Sequence, residues 1–253
     1  MKKSTALQTI LKSAFAAQAL FIISASSPSV TGRMPANDDA TVDITTDQTI
    51  RIGANIIIYG DGATLAKAKD IQNNILKNWA TDSDGRPWTY FDPESGQRFK
   101  VEISAAVKLY QGKEKQKPEY IPDSYNPLSR NNYIEITTEP QFRSFVHAGD
   151  EGKWAAVPYY VDTYAHEFGH ILGFDDRYFD VGRTSYTEMG WESNLMSCEY
   201  GSRVEQRNID AIVGKIMSQY RVTDLFRNKL QIPRDTSDGY IYRGALNISR
   251  PNL

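Results

Sequence analysis

Eleven consecutive residues, His166-Glu167-Phe168-Gly169-His170-Ile171-Leu172-Gly173-Phe174-Asp175-Asp176, constrain this chain more than any other stretch. On an α-helix, residues four apart share a face, about 40° apart at 100° per residue. His166 and His170 can therefore aim two imidazoles at one ion, an arrangement that suits zinc. Glu167 follows the first histidine and can lean over the same ion, within reach of a proton on a water there. Asp176 lies six residues past His170, about 600° further along a continued helix and so roughly 120° off that face. The helix must stop between them. Gly173 permits the stop, because glycine accepts the left-handed conformation that ends helices. The chain can then turn back and offer the Asp176 carboxylate as the third ligand. Asp175 competes for that role, or serves as an acceptor that orients a histidine. Glu188 and Glu192 are more distant alternatives, and the early glycine argues against them.

The segment resembles the metzincin clan of zinc endopeptidases, whose pattern is H-E-x-x-H-x-x-G-x-x-H/D. It is most similar to the snapalysin-like branch, in which aspartate closes the pattern and tyrosine stands two residues on, here Asp176-Arg177-Tyr178. Asn194-Leu195-Met196-Ser197-Cys198 is similar to the clan's methionine turn. The resemblance implies a Zn2+ cofactor held by His166, His170 and Asp176, with Glu167 as general base in peptide-bond hydrolysis. It also implies Met196 as a structural floor under the metal. Tyr178 or Tyr200 is a candidate donor to the oxyanion, with plain packing the alternative for both. An aspartate ligand adds negative charge that a third imidazole would not, so an alkaline-shifted pH optimum is expected.

Composition fits that reading without demanding it. The chain has 253 residues, 40% hydrophobic and 24% charged, enough for one full-sized domain. A net charge of -2 gives no reason to expect nucleic acid or an acidic membrane as partner. The single cysteine, Cys198, rules out an intrachain disulfide and reads as an inert buried thiol. Only three histidines exist, and the third, His147, reads as a surface loop residue. A monomer is expected.

At the start, Lys2 and Lys3 precede an apolar run at 14–23 broken only by Gln18, then Ser24-Ala25-Ser26-Ser27. This is a secretory signal pattern over 1–26, too short for a comfortable membrane span. It implies export, to the periplasm or beyond. Residues 27–48, rich in Ser, Thr, Asp and Pro, read as a disordered linker or short pro-segment, and 49–253 as the catalytic domain.

Within that domain, 50–59 (IRIGANIIIY), 98–110 and 133–138 read as strands. Residues 64–80 read as an amphipathic helix, with Leu65, Ala68, Ile71, Ile75 and Trp79 at helical spacing. Asp82-Ser83-Asp84-Gly85-Arg86-Pro87 is a turn-rich connector, and 111–132 a long loop. Residues 154–160 (WAAVPYY) read as a short strand in which Pro158 argues for an edge position. A protein or peptide substrate could add there as a further strand, along Trp154 to Tyr160, and the resemblance implies the same. The zinc helix spans 161–172, capped by Asp162 or Thr163. A polar, irregular stretch follows to Ser193, and a helix over 202–220 packs behind the site.

The expected fold is α+β and metzincin-like. An N-terminal mixed, twisted sheet with helices, the zinc helix among them, stands above an irregular C-terminal subdomain with a methionine turn and a C-terminal helix. The functional expectation is an exported zinc metalloendopeptidase. The alternatives are a catalytically silent secreted binding or inhibitory module on the same fold, which the intact Glu167 disfavours, and a zinc amidase acting on a cell-wall peptide.

Overall fold

β3 (Thr49–Tyr59) is the strand on which the sheet is built. Ile50, Ile52, Ala54, Ile56 and Ile58 alternate along it and are all buried on one face. β5 (Arg98–Leu109) runs parallel along one side of β3, with Phe99, Val101, Ile103, Ala105 and Val107 turned to the same interior. β6 (Asn131–Thr137) runs parallel along the other side at Asn55–Tyr59. β8 (Glu151–Ala155) pairs parallel to β6, and β7 (Phe145–His147) closes that end antiparallel to β8. β4 (Trp88–Phe91) pairs antiparallel to β5 at the opposite end. The computed structural model describes residues 29–33, 40–45, 47–111, 131–147, 151–197 and 202–230, with the backbone alone for 29–33, 147 and 220–230. The fold is α+β, a curled mixed sheet of eight strands and three helices among the described residues.

The helices cover the apolar face. α1 (Leu65–Trp79) starts at Thr64, whose hydroxyl accepts from the Lys67 N–H at 3.0 Å. It packs on β5 through Ala68, Ile71, Ile75 and Trp79. Leu65, expected on that stripe, is instead 70% exposed, because the helix begins beyond the edge of the core. α2 (Thr163–Ile171) packs on α1, and α3 (Gln206–Leu230) packs on β4 through its N-terminal half. α3 runs ten residues past the expected end at 220. The other face of the sheet is wet, with ion pairs such as Arg51–Glu102 at 3.0 Å and Lys153–Glu135 at 3.1 Å.

Four expectations are corrected. Residues 40–45 are not a disordered linker. β2 (Thr41–Thr45) pairs antiparallel with β3 at Ile50–Gly53, and Ala40 and Val42 are 1% exposed. β1 (Ser29–Arg33) pairs antiparallel with β2. The strand expected at 154–160 ends at Ala155 and lies between β6 and β7, so it is not the edge. Pro158 falls after the strand, in the turn leading to α2. β7 holds the terminal position instead, and His147 ends it rather than sitting in a loop. Finally, the stretch read as irregular contains a hairpin, β9 (Tyr178–Val181) with β10 (Thr184–Thr187), turning at Gly182 with φ 64°. The signal region at 1–26 and the residues Cys198 and Tyr200 lie outside the described residues. No helix among the described residues is long and apolar enough to cross a membrane.

Candidate metal centre

α2 is held at both ends and from beneath. Its N-cap, Asp162, makes no side-chain cap bond. The work falls to Asn74 of α1, whose Oδ1 accepts from the Ala165 N–H at 3.1 Å while its Nδ2 donates to the Val161 carbonyl at 2.6 Å. An asparagine a helix away thus satisfies one of the free N–H groups of the first turn. At the other end, Gly173 has φ 90°. The Gly173 N–H donates to the His170 carbonyl at 2.9 Å and the Phe174 N–H to the Gly169 carbonyl at 3.0 Å. This is a Schellman closure, and it stops the helix where the spacing argument required. Phe174 then folds back and stacks on Trp79, centroids 6.0 Å apart. Trp79 is fully buried, meets Phe168 edge-on, and donates from Nε1 to the Ala165 carbonyl at 2.8 Å.

Beneath α2 lies Met196, fully buried against Gly169. A Cβ at residue 169 would overlap the Met196 sulfur, so glycine is what lets the turn approach the helix. The turn itself is fixed by Asn194 and Asn208, both fully buried. Asn194 Nδ2 donates to Asn208 Oδ1 at 2.7 Å and to Glu205 Oε2 at 3.2 Å, and its Oδ1 accepts from the Met196 N–H at 3.0 Å. The turn so bonded aims the Leu195 carbonyl at His166.

The two histidines and Asp176 converge. His166 Nδ1 lies 2.7 Å from the Leu195 carbonyl oxygen and His170 Nδ1 lies 2.8 Å from the Phe174 carbonyl oxygen. A carbonyl can only accept, so both Nδ1 atoms carry hydrogen. In the neutral rings, each Nε2 is then a bare lone pair. Those lone pairs face Asp176 Oδ1, at 3.1 Å from His166 and 3.3 Å from His170. Three acceptors gathered this closely need a proton or a cation between them. The ligand atoms all lie within 4.8 Å of one another, and the donor set of two imidazoles and a carboxylate fits a divalent cation with open positions. The carbonyl bonds to Nδ1 are the outer contacts that orient metal-binding histidines.

The electrostatics agree. Burial works against the Asp176 charge, but with the imidazoles protonated their Nε2–H bonds to it prevail and hold its carboxyl well below the usual range. Burial likewise works against a charged His170, and the Asp176 bond and the Glu167 charge outweigh it, so its pKa is raised. Glu167 is 4% exposed, and its Oε2 is buried with no hydrogen-bond partner among the described residues. Burial raises its pKa above the ordinary carboxylate value, against the opposing pull of the two histidines.

These groups line a cleft of about 390 Å³. Its far wall is Arg143, Ser144, Phe145 and Val146, entering β7, and Tyr178 of β9 closes one side. Burial first, and then the Asp176 charge, push the Tyr178 phenol up to about 12. The alternative ligands fall elsewhere. Asp175 is exposed, Glu188 faces Arg177 at 3.5 Å, and Glu192 accepts from the Gly190 N–H at 2.9 Å. In the 82–87 connector, Asp82 and Asp84 are occupied by Arg86.

Two residues that matter here carry no signal in the local pattern, Asn74 and Arg143. Their partners are distant in sequence, 91 residues for Asn74–Ala165 and 35 for Arg143–Tyr178. Compared with known protein families and curated proteins, the chain matches no family model and no curated protein.

Proposed function

We propose that this protein is an exported zinc metalloendopeptidase of metzincin type. The observation that carries the reading is the convergence of His166 Nε2, His170 Nε2 and Asp176 Oδ1 beside the unpartnered, buried Glu167 Oε2 in one open cleft. A zinc ion bound by the three would polarise a scissile carbonyl and make a water more acidic. Glu167 supplies the base. Its Oε2 accepts the proton of the attacking water and then returns it to the leaving amine. Tyr178 stays neutral across the working range and can donate to the tetrahedral oxyanion.

Further support comes from the surroundings of α2. Met196 lies under the helix, β7 flanks the cleft antiparallel to its neighbour, and α3 closes the chain's described part. An extended substrate would run along β7, past Ser144, Phe145 and Val146, rather than along 154–160. The experiment is hydrolysis of casein by the purified zinc-loaded chain beside Glu167→Gln. The variant is expected to bind zinc as the parent does and to lose roughly 10²–10⁴-fold in rate. Equal rates in the two proteins would remove Glu167 from the mechanism.

A further inference from the structure

Arg143 lines the cleft but belongs to neither the ligand set nor β7. Its Nη2 donates to the Tyr178 hydroxyl oxygen at 2.7 Å and its Nη1 to Asp180 Oδ2 at 3.0 Å. The guanidinium also lies 5.5 Å from the Tyr178 ring centroid. Arg143 precedes β7 on one wall of the cleft, whereas Tyr178 and Asp180 stand on β9 on the other. One side chain therefore ties the two walls together.

The hairpin is built to present this contact. In the β9–β10 pairing, Asp180 stands opposite Ser185, which donates to Asp180 Oδ1. Strand alternation places Tyr178 and Asp180 on one face and leaves Phe179 and Val181 on the other, 55% and 59% exposed. The face carrying Tyr178 and Asp180 is thus selected by Arg143 and not by apolar burial.

The geometry also fixes the phenol. A guanidinium has no acceptor, so at this contact the Tyr178 oxygen accepts. Its own hydrogen points to the other side, where Asp176 accepts it, and the ring lines the cleft beside His166, centroids 6.2 Å apart. A cation on the oxygen lone pair also makes the O–H a stronger donor.

We propose that Arg143 is a positioning residue that turns the Tyr178 O–H into the cleft, where it donates to the oxyanion formed at the scissile carbonyl. This rests on the hydrolase reading above. Bidentate engagement of a hydroxyl and a carboxylate on one strand is a task for a planar fork, which lysine performs only in part.

The test is a mutant cycle on the full, zinc-loaded chain with a fluorogenic peptide. The variants are Arg143→Met, Arg143→Lys, Tyr178→Phe and the Arg143→Met/Tyr178→Phe pair. A phosphinic peptide, whose tetrahedral anionic centre mimics the oxyanion, is titrated by calorimetry in parallel. Tyr178→Phe is expected to lower kcat on the order of 10²-fold, and Arg143→Met on the order of tenfold, with KM little changed and zinc content unaltered. The pair should be no worse than Tyr178→Phe alone, Arg143→Lys should recover part of kcat, and phosphinic-peptide affinity should fall in step. A pair that loses the product of the two single effects, or an Arg143→Met that raises KM at constant kcat, overturns the proposal. If the parent hydrolyses no peptide yet binds the phosphinic peptide, the hydrolase reading fails and the affinity cycle alone decides Arg143. If it does neither, both are overturned.

Discussion

At the scale of single residues, the centre is a problem of protons. Three lone-pair atoms on His166, His170 and Asp176 face one another, and only a proton or a cation reconciles them. The raised pKa of His170 means that the metal-free protein keeps a proton there above the unperturbed value of about 6.5. A group whose folded pKa is raised contributes stability that is full below its unfolded pKa and is lost as pH rises through the folded one. The metal-free chain should therefore lose the stability this proton contributes as pH rises past the unperturbed histidine value, and zinc should restore it while releasing protons. Thermal unfolding between pH 6 and 9, with and without zinc, checks this. Equal pH profiles in the two forms would count against a shared site. The clustering of His166, His170 and Asp176 was legible in the sequence because their spacing is helical geometry plus one glycine. Asn74 and Arg143 were not, because a polar side chain reaching another element leaves no periodic trace.

At the scale of elements, α2 is positioned by what it touches at both ends. Its own cap residue makes no cap bond, and Asn74 supplies one from α1. The turn beneath it carries the more testable claim. Asn194→Ala would leave the Met196 N–H and the Asn208 Nδ2 without the acceptor they share, Asn194 Oδ1, at about 1–3 kcal/mol for each unsatisfied group. It should also loosen the Leu195 carbonyl that orients His166, so zinc affinity should fall with stability. Chemical denaturation and zinc titration of Asn194→Ala check both; lost stability at unchanged zinc affinity would separate the turn from the metal centre. The long periodic elements β3, α1, β5, β6 and α2 could be read from the sequence to within two or three residues. The short ones could not. β4, β7, β9 and β10 have three or four residues each, too few to establish a period, and each exists because a partner strand is alongside. β8 was displaced because the apolar run WAAVPYY continues past the strand, into a turn where Val157 and Tyr159 are 88% exposed.

At the scale of the whole molecule, the sheet begins earlier in the chain than composition suggests. β2 lies on the side of β3 that β6 covers further along, so the two share one edge of the central strand. Its sequence, TVDIT, is polar enough to look like linker, yet Val42 points into the core. Removal of residues 1–46 should therefore destabilise the domain, by roughly 1.5–3 kcal/mol for the exposed equivalent of Val42 alone, whereas removal of 1–26 should not. Thermal melts of the two truncations check this, and equal melting temperatures would return 40–45 to the role of linker. Placed by this frame, the apolar face of the sheet supports α1, α1 supports α2, and α2 carries the two imidazoles to the cleft beside β7. All of it serves the claim that His166, His170 and Asp176 bind one divalent cation. The most direct test is a calorimetric zinc titration of the purified, metal-free chain beside His170→Ala. One equivalent bound by the parent and none held tightly by the variant is the expected result. No zinc bound by the parent, or one equivalent bound equally by both proteins, would contradict it.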